Sequence, residues 1–252
     1  LRSSDAPAAE EQFRAALVAR ADAAPARLGL ARALLAQKKY EAASDVLAEY
    51  LKRDPGNVFA HFDRASALLN LSRYDEALAE LDRADSVGAP SAESQKMRGD
   101  IFLHQKKWKE AADELKQALV SSPQDSEIAA WIGHADIELR DYPAAVAILT
   151  QVHAKNPQNA DVLRDLSDAF YLSENYAAAV EAMDRLAKLE TPPPGSWFVR
   201  AICYDKLSRK AEAIEAYQKF LDLDGGQQDT QDFQARHRIP VLQKELGQLR
   251  KK

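Results

Sequence analysis

The chain repeats itself every 34 residues. YEAASDVLAEYLKRDPGN begins at Tyr40, YDEALAELDRADSVGAP at Tyr74 and WKEAADELKQALVSSPQD at Trp108. With Tyr40 as position 17, the repeats run 24–57, 58–91, 92–125, 126–159, 160–193 and 194–227, with no insertion or deletion. Position 20 is alanine in all six: Ala43, Ala77, Ala111, Ala145, Ala179 and Ala213. Position 8 is small throughout, at Ala31, Ala65, Gly99, Gly133, Ser167 and Ala201. Position 24 is large throughout, at Leu47, Leu81, Leu115, Leu149, Met183 and Tyr217. Position 17 is aromatic until Lys210 replaces it, and Pro55, Pro123 and Pro157 close their repeats.

Such a period means supersecondary units that cannot bury their apolar faces singly and must stack. Each repeat reads as two helices, A before position 15 and B after it. Small residues at positions 8 and 20 let the two backbones approach, and the large residue at 24 fills the space beside them. Proline near the repeat end stops helix B.

These residues resemble the tetratricopeptide repeat family over nearly the whole chain. The resemblance implies an all-α fold, a right-handed α-solenoid of stacked helix-turn-helix repeats. The departures are local: the family's position-4 tryptophan occurs only as Trp197, and Asp136 stands where a large apolar side chain is usual. Residues 1–23 read as a leading half-repeat, with Ala9, Phe13 and Ala16 at positions 20, 24 and 27. Residues 228–252 read as a capping helix with an apolar stripe of Phe233, Leu242, Leu246 and Leu249, kinked or divided at Pro240. The TPPPG run from Thr191 to Gly195 reads as a stiff inter-repeat loop.

Composition narrows the function. Net charge is −5, which suits neither nucleic acid nor an anionic membrane surface, since both require clustered cations. No apolar run reaches the roughly 20 residues of a membrane-spanning helix, so membrane insertion is not expected. Cys203 is the only cysteine and falls at a core position, where a thiol is inert. The sequence has no nucleophile elbow, phosphate-cradling glycine loop or zinc-ligand spacing. No catalytic residue, cofactor or metal is therefore assigned. His104 and His134, with Asp100, Glu138 and Asp168 nearby, are the best case for a metal site, although no ligand spacing is diagnostic, and a pH-sensitive contact through either histidine is favoured over it.

In the family the resemblance implies, A helices line a concave face through positions 2, 5, 6, 9, 12 and 13. That mapping collects Phe59, Phe62, Met97, Asp100, His104, Trp131, His134, Asp165, Asp168 and Tyr171 as a partner-binding groove, with Ile137 and Phe198 among its further lining residues. Phe62, Met97, Trp131 and Tyr171 are the expected apolar anchors. Asp100, Asp165 and Asp168 are expected to select a basic or apolar segment of a protein partner. The lysines and asparagines with which chaperone-binding members hold a terminal carboxylate are missing; Leu28, Arg32, Asp63, Glu93 and Met97 stand there. The expected function is a non-enzymatic protein-interaction scaffold, with a self-associating structural solenoid as the alternative. The absence of a starting methionine favours an exported or periplasmic chain, with a cytoplasmic location still open.

Overall fold

The computed structural model describes residues 5–88 and 90–249, together with the backbone but not the side chain of the last of these. The expected contribution of Leu249 to the terminal stripe thus lies outside the described side chains. The described residues form helices and no strand. After α1 (Ala6–Ala19) come the pairs α2 (Ala24–Ala36) and α3 (Tyr40–Leu51), α4 (Val58–Asn70) and α5 (Tyr74–Val87), and α6 (Ala92–His104) and α7 (Trp108–Ser121). These are followed by α8 (Ser126–Glu138) and α9 (Tyr142–Lys155), α10 (Ala160–Leu172) and α11 (Tyr176–Leu186), and α12 (Pro194–Lys206) and α13 (Lys210–Asp224). The last helix is α14 (Asp229–Leu249). The chain divides into two compact halves, Leu1–Ile128 and Ala129–Lys252. Within each, helices pack against their neighbours in sequence, as expected of an all-α repeat solenoid.

The helix pairs close through the small residues. All six position-20 alanines are fully buried, as are Leu47, Leu81, Leu115 and Leu149. At Gly99 an added Cβ would stand 2.5 Å from Leu115 Cγ, and at Gly133 2.5 Å from Leu149 Cγ. Neither contact leaves room for a methyl group, so the leucine side chain occupies the space that alanine's Cβ fills elsewhere.

One backbone device recurs without a sequence signature. Lys38, Ser72, Lys106, Arg140, Glu174 and Ser208 all adopt φ between 57° and 63°, one in each turn from helix A to helix B. The following amide donates back across the turn, as in Lys39 N to Leu34 O at 3.0 Å and Asn175 N to Phe170 O at 2.8 Å. This is a Schellman closure, which satisfies carbonyls left open at the helix end. Glycine fits that conformation best, yet no repeat uses it. The residue after the turn then starts helix B, and at Asp141 and Asn175 its side chain also accepts from Ala144 N and Ala178 N.

Helix A starts with a different set of caps. Asn57, Ser91 and Asn159 each accept a backbone N–H in the first turn. The TPPPG run is only partly a loop, because Pro194 and Gly195 already belong to α12. Proline lacks the N–H that a first turn leaves unpaired, so it suits that place. Pro240 neither ends α14 nor divides it; the helix runs through as one element. At the other end, α1 packs on α2, with Ala6 and Glu10 buried and Phe13 lying over Gly29, where a Cβ would be 2.4 Å from Phe13 Cζ. Ala16 stays exposed, because α1 packs through the face that carries Ala6, Glu10 and Phe13.

Buried charge is compensated locally. Glu80 is 1% exposed; it takes His61 Nδ1 at 2.6 Å on one oxygen and the Arg64 and Arg83 guanidinium groups on the other. His61 Nε2 donates to Pro55 O at 3.0 Å, which ties the loop before α4 to both helices of its repeat. An uncompensated carboxylate in that position would cost several kcal/mol.

Two stability outcomes follow from these contacts. Ala145→Trp should lower unfolding free energy by about 1–3 kcal/mol or more through overpacking, seen as a lower urea midpoint. Lys106→Gly should raise it by up to about 1 kcal/mol, because left-handed φ costs a non-glycine residue about that much.

Candidate functional site

In the first half, α2, α4 and α6 lie side by side, α4 touching both of the others. Phe59, in the first turn of α4, is 70% exposed. One turn on, Phe62 is half-buried, and it packs with Met97 of α6 against the cluster of Ala65, Leu68, Ala77, Leu81 and Ile101. These two anchors therefore serve the core with one side and face outward with the other. His104 Nδ1, one turn along the same helix, bonds the Asp100 backbone O at 2.9 Å and lies 3.1 Å from the Asp100 carboxylate. Burial, the largest influence, pushes the Asp100 carboxyl above its usual range against the pull of His104. The His104 ring lies 6.1 Å from that of Tyr74.

In the second half, the polar centre is His134 of α8. Its Nδ1 lies 3.2 Å from Asp165 Oδ1 of α10, linking the A helices of successive repeats. That hydrogen bond raises the His134 pKa above the ordinary histidine value, and Glu138 and Asp168 add to the effect. Asp168, one turn beyond Asp165, is exposed along its edge but crowded by its neighbours. Loss of solvation, and secondarily the Asp165 charge, pushes its carboxyl up to about 6. Arg164 does not neutralise it directly, because its guanidinium is held by Asp161 at 2.6 Å and by both oxygens of Glu190 at 2.9 Å. Tyr171 follows Asp168 by three residues and so shares its face of α10. It is half-buried beside Tyr176, ring to ring 6.3 Å, and packs on the cluster of Met183 and Cys203. Trp131, one turn before His134, is also half-buried.

Thus Phe59, Phe62, Met97, Asp100 and His104 belong to the first half, and Trp131, His134, Asp165, Asp168 and Tyr171 to the second. Two residues mapped to the concave face prove to be core. Phe198 is 6% exposed and packs between Tyr217 and Phe220, with ring centroids 5.8 and 5.2 Å away. Ile137 is buried with Ala145 and Leu149. An apolar side chain at a facing position turns inward wherever a large neighbour offers it contact.

A set of ion pairs between successive A helices was not read from the sequence. Arg32 Nε reaches Asp63 at 2.8 Å, Lys96 Nζ reaches Glu127 at 2.5 Å, and His134 reaches Asp165; each pair is separated by 31 residues. A base followed 31 residues later by an acid, within a 34-residue period, is the signal that could have revealed them. Arg238 of α14 likewise clasps Asp205 through two bonds of 2.6 and 2.9 Å. These pairs use up much of the acidity that the facing positions display. They also settle what stands where a carboxylate clamp would be, since Arg32 is bound to Asp63.

Cys203 is buried, and burial pushes its thiol up to about 11, which suppresses the nucleophilic thiolate. Among the described residues no three His, Cys, Asp or Glu side chains gather to hold a metal, and no helix is long and apolar enough to cross a membrane.

Comparison with known proteins agrees with the geometry. One family model of the tetratricopeptide repeat matches residues 60–126 and 173–228, and a second matches residues 1–61 and 136–194. A curated relative, the DnaJ homolog subfamily C member 7 homolog of Schizosaccharomyces pombe, is 27% identical over 111 residues. That match covers 42% of this chain and 23% of the relative, so the chain spans under a quarter of that protein's length. Among solved structures, the C-terminal part of a repeat protein from Cytophaga hutchinsonii superposes with a TM-score of 0.70 at 15% identity, covering 86% of this chain and 88% of that one. YrrB, described as having an unusual peptide-binding site, gives 0.68 at 14% identity, covering 77% and 99%. PilF of Pseudomonas aeruginosa gives 0.67 at 20%, covering 86% and 99%. At these identities the likeness concerns the fold.

Asp168 provides a test of the site's electrostatics. Its raised pKa means that the folded state resists ionisation. Below about pH 4 the carboxyl is protonated whether folded or unfolded, and no penalty arises. As pH rises through about 6 the penalty grows to its full value. Asp168→Asn should therefore stabilise the protein at pH 7–8 by roughly 1 kcal/mol after solvent screening, the gain vanishing near pH 4. Chemical denaturation across that range reads it directly.

Proposed function

Because the chain belongs to the tetratricopeptide repeat family, whose fold is a protein-interaction scaffold, we propose that its A-helix faces bind a basic, partly apolar segment of a partner protein without chemistry. The observation that carries this reading is the grouping about His134. Asp165 bonds the imidazole at 3.2 Å and the Glu138 and Asp168 charges add to its raised pKa, while Trp131 and Tyr171 stand half-buried on the same two helices. Aromatic side chains that keep one face outward are the usual anchors of interfaces. A carboxylate whose ionised form is disfavoured by lost solvation and by the neighbouring Asp165 charge is stabilised when a cation arrives, so Asp168 favours lysine or arginine. In the first half, Phe59, Phe62 and Met97 supply the apolar contacts, and Asp100 the charge. The solved YrrB structure, described as a peptide-binding member of the same fold, is consistent with this use of the surface.

A panel of short labelled peptides, matched in length and differing in charge, tests the reading by fluorescence anisotropy. Basic, leucine-rich peptides should bind and acidic ones should not. Trp131→Ala/Tyr171→Ala, checked for unchanged helicity, should weaken binding at least about tenfold. Asp168→Lys, a change at an exposed edge, should do the same by charge reversal. Tighter binding of acidic peptides, or indifference to these substitutions, would overturn the reading.

A further inference from the structure

A cationic stretch of this acidic chain lies on its last described helix. FQARHRIPVLQK, from Phe233 to Lys244, holds Arg236, His237, Arg238 and Lys244 and no carboxylate, within a chain of net charge −5. Ala235, Ile239 and Leu242 bury the inner side of α14 against the core of Phe198, Tyr217 and Phe220. The outer side stays uncovered. Phe233 is 63% and Val241 44% exposed, and Arg236, His237, Pro240 and Lys244 are exposed with them. At 3.6 residues per turn these six share one arc of the helix. Phe233 and His237 stack there, ring centroids 3.9 Å apart, and His237 Nδ1 bonds Phe233 O at 2.8 Å. The arc is thus an ordered apolar ridge flanked by cations. Acids flank the stretch on both sides: Asp232 holds Arg236 at 3.2 Å, and Glu245 is engaged by Lys210 at 2.7 Å and Arg238 at 3.7 Å.

We propose that the segment bound at the His134 face is α14 of a second copy of this chain. The inference rests on the function proposed above and names its partner. The two surfaces match in the chemistry each lacks. The groove offers Asp168 and Glu138 beside half-buried Trp131 and Tyr171, and the helix offers Lys244, together with Arg236 shared with Asp232, beside exposed Phe233 and Val241. The helix cannot fill the groove of its own chain with this arc while its opposite side is held in the α13–α14 core. A second molecule therefore supplies it. The contact joins two different surfaces, so each copy retains one unused groove and one unused helix unless a pair closes reciprocally.

Sedimentation of the full chain over a wide concentration range tests this. The average mass should rise with concentration, and the association should weaken at least about tenfold between low and high salt, because the matching charges are screened. Phe233→Ser/Lys244→Glu, both at exposed positions, should abolish association with unchanged helicity. Trp131→Ala/Asp168→Asn should abolish it from the other side. Mixing the two variants should restore a one-to-one complex, since one intact helix and one intact groove remain. A wild type of constant mass, an α14 variant that associates normally, or a mixture that fails to combine overturns the inference. A constant-mass wild type that still binds basic peptides through Trp131 leaves the groove reading standing and removes only the second copy. One that binds neither itself nor any basic peptide removes both.

Discussion

The structure depends on how closely two helices of a repeat approach. That distance is set where a position-20 alanine and a small position-8 residue face each other across a leucine. With Gly133 opposite Leu149, no space is left for even one more carbon, and Ala145 beside them is completely buried. Close packing of this kind transmits position rigidly. Within each half, every pair therefore holds its A helix in a set place against its neighbours, and the spacing of the residues on that face follows from contacts lying underneath it.

The turn between the helices imposes the second constraint. Six non-glycine residues accept left-handed backbone so that a single amide can close helix A while the same residue opens helix B. The strain is offset by carbonyls that would otherwise be unpaired at a partly buried helix end. The ion pairs between successive A helices act at the next level. Arg32 with Asp63, Lys96 with Glu127 and His134 with Asp165 fasten neighbouring repeats on the outward face. Being exposed, each adds little stability alone. Their larger effect is to offset opposite charges displayed on that face.

The proposed site is what packing and pairing leave outward. Phe62, Met97 and Tyr171 are held in place because part of each packs on the core, which would lower the entropy lost if a partner covered the rest. Phe59 is different: at 70% exposure it has little such support, and its burial by a partner would yield more apolar contact while ordering a freer side chain.

The sequence by itself determined the architecture, because a 34-residue period with alanine at one phase and a large residue at another admits one economical way to bury both. Starts of the B helices were legible from the aromatic at position 17, and Cys203 was legible as core. What the tertiary structure alone decided concerns partners distant in sequence. Phe198 and Ile137 turned inward because large neighbours from other helices were there to receive them. Glu80 is buried because His61, Arg64 and Arg83 converge on it. The left-handed turns fall on lysine, serine, arginine and glutamate, residue types that carry no signal for that conformation. The charge of the outward face followed from pairings made across repeats, which composition counts as separate charges. Local pattern dictates helices and their buried stripe. Which charges remain uncompensated depends on distances that only the packed repeats establish.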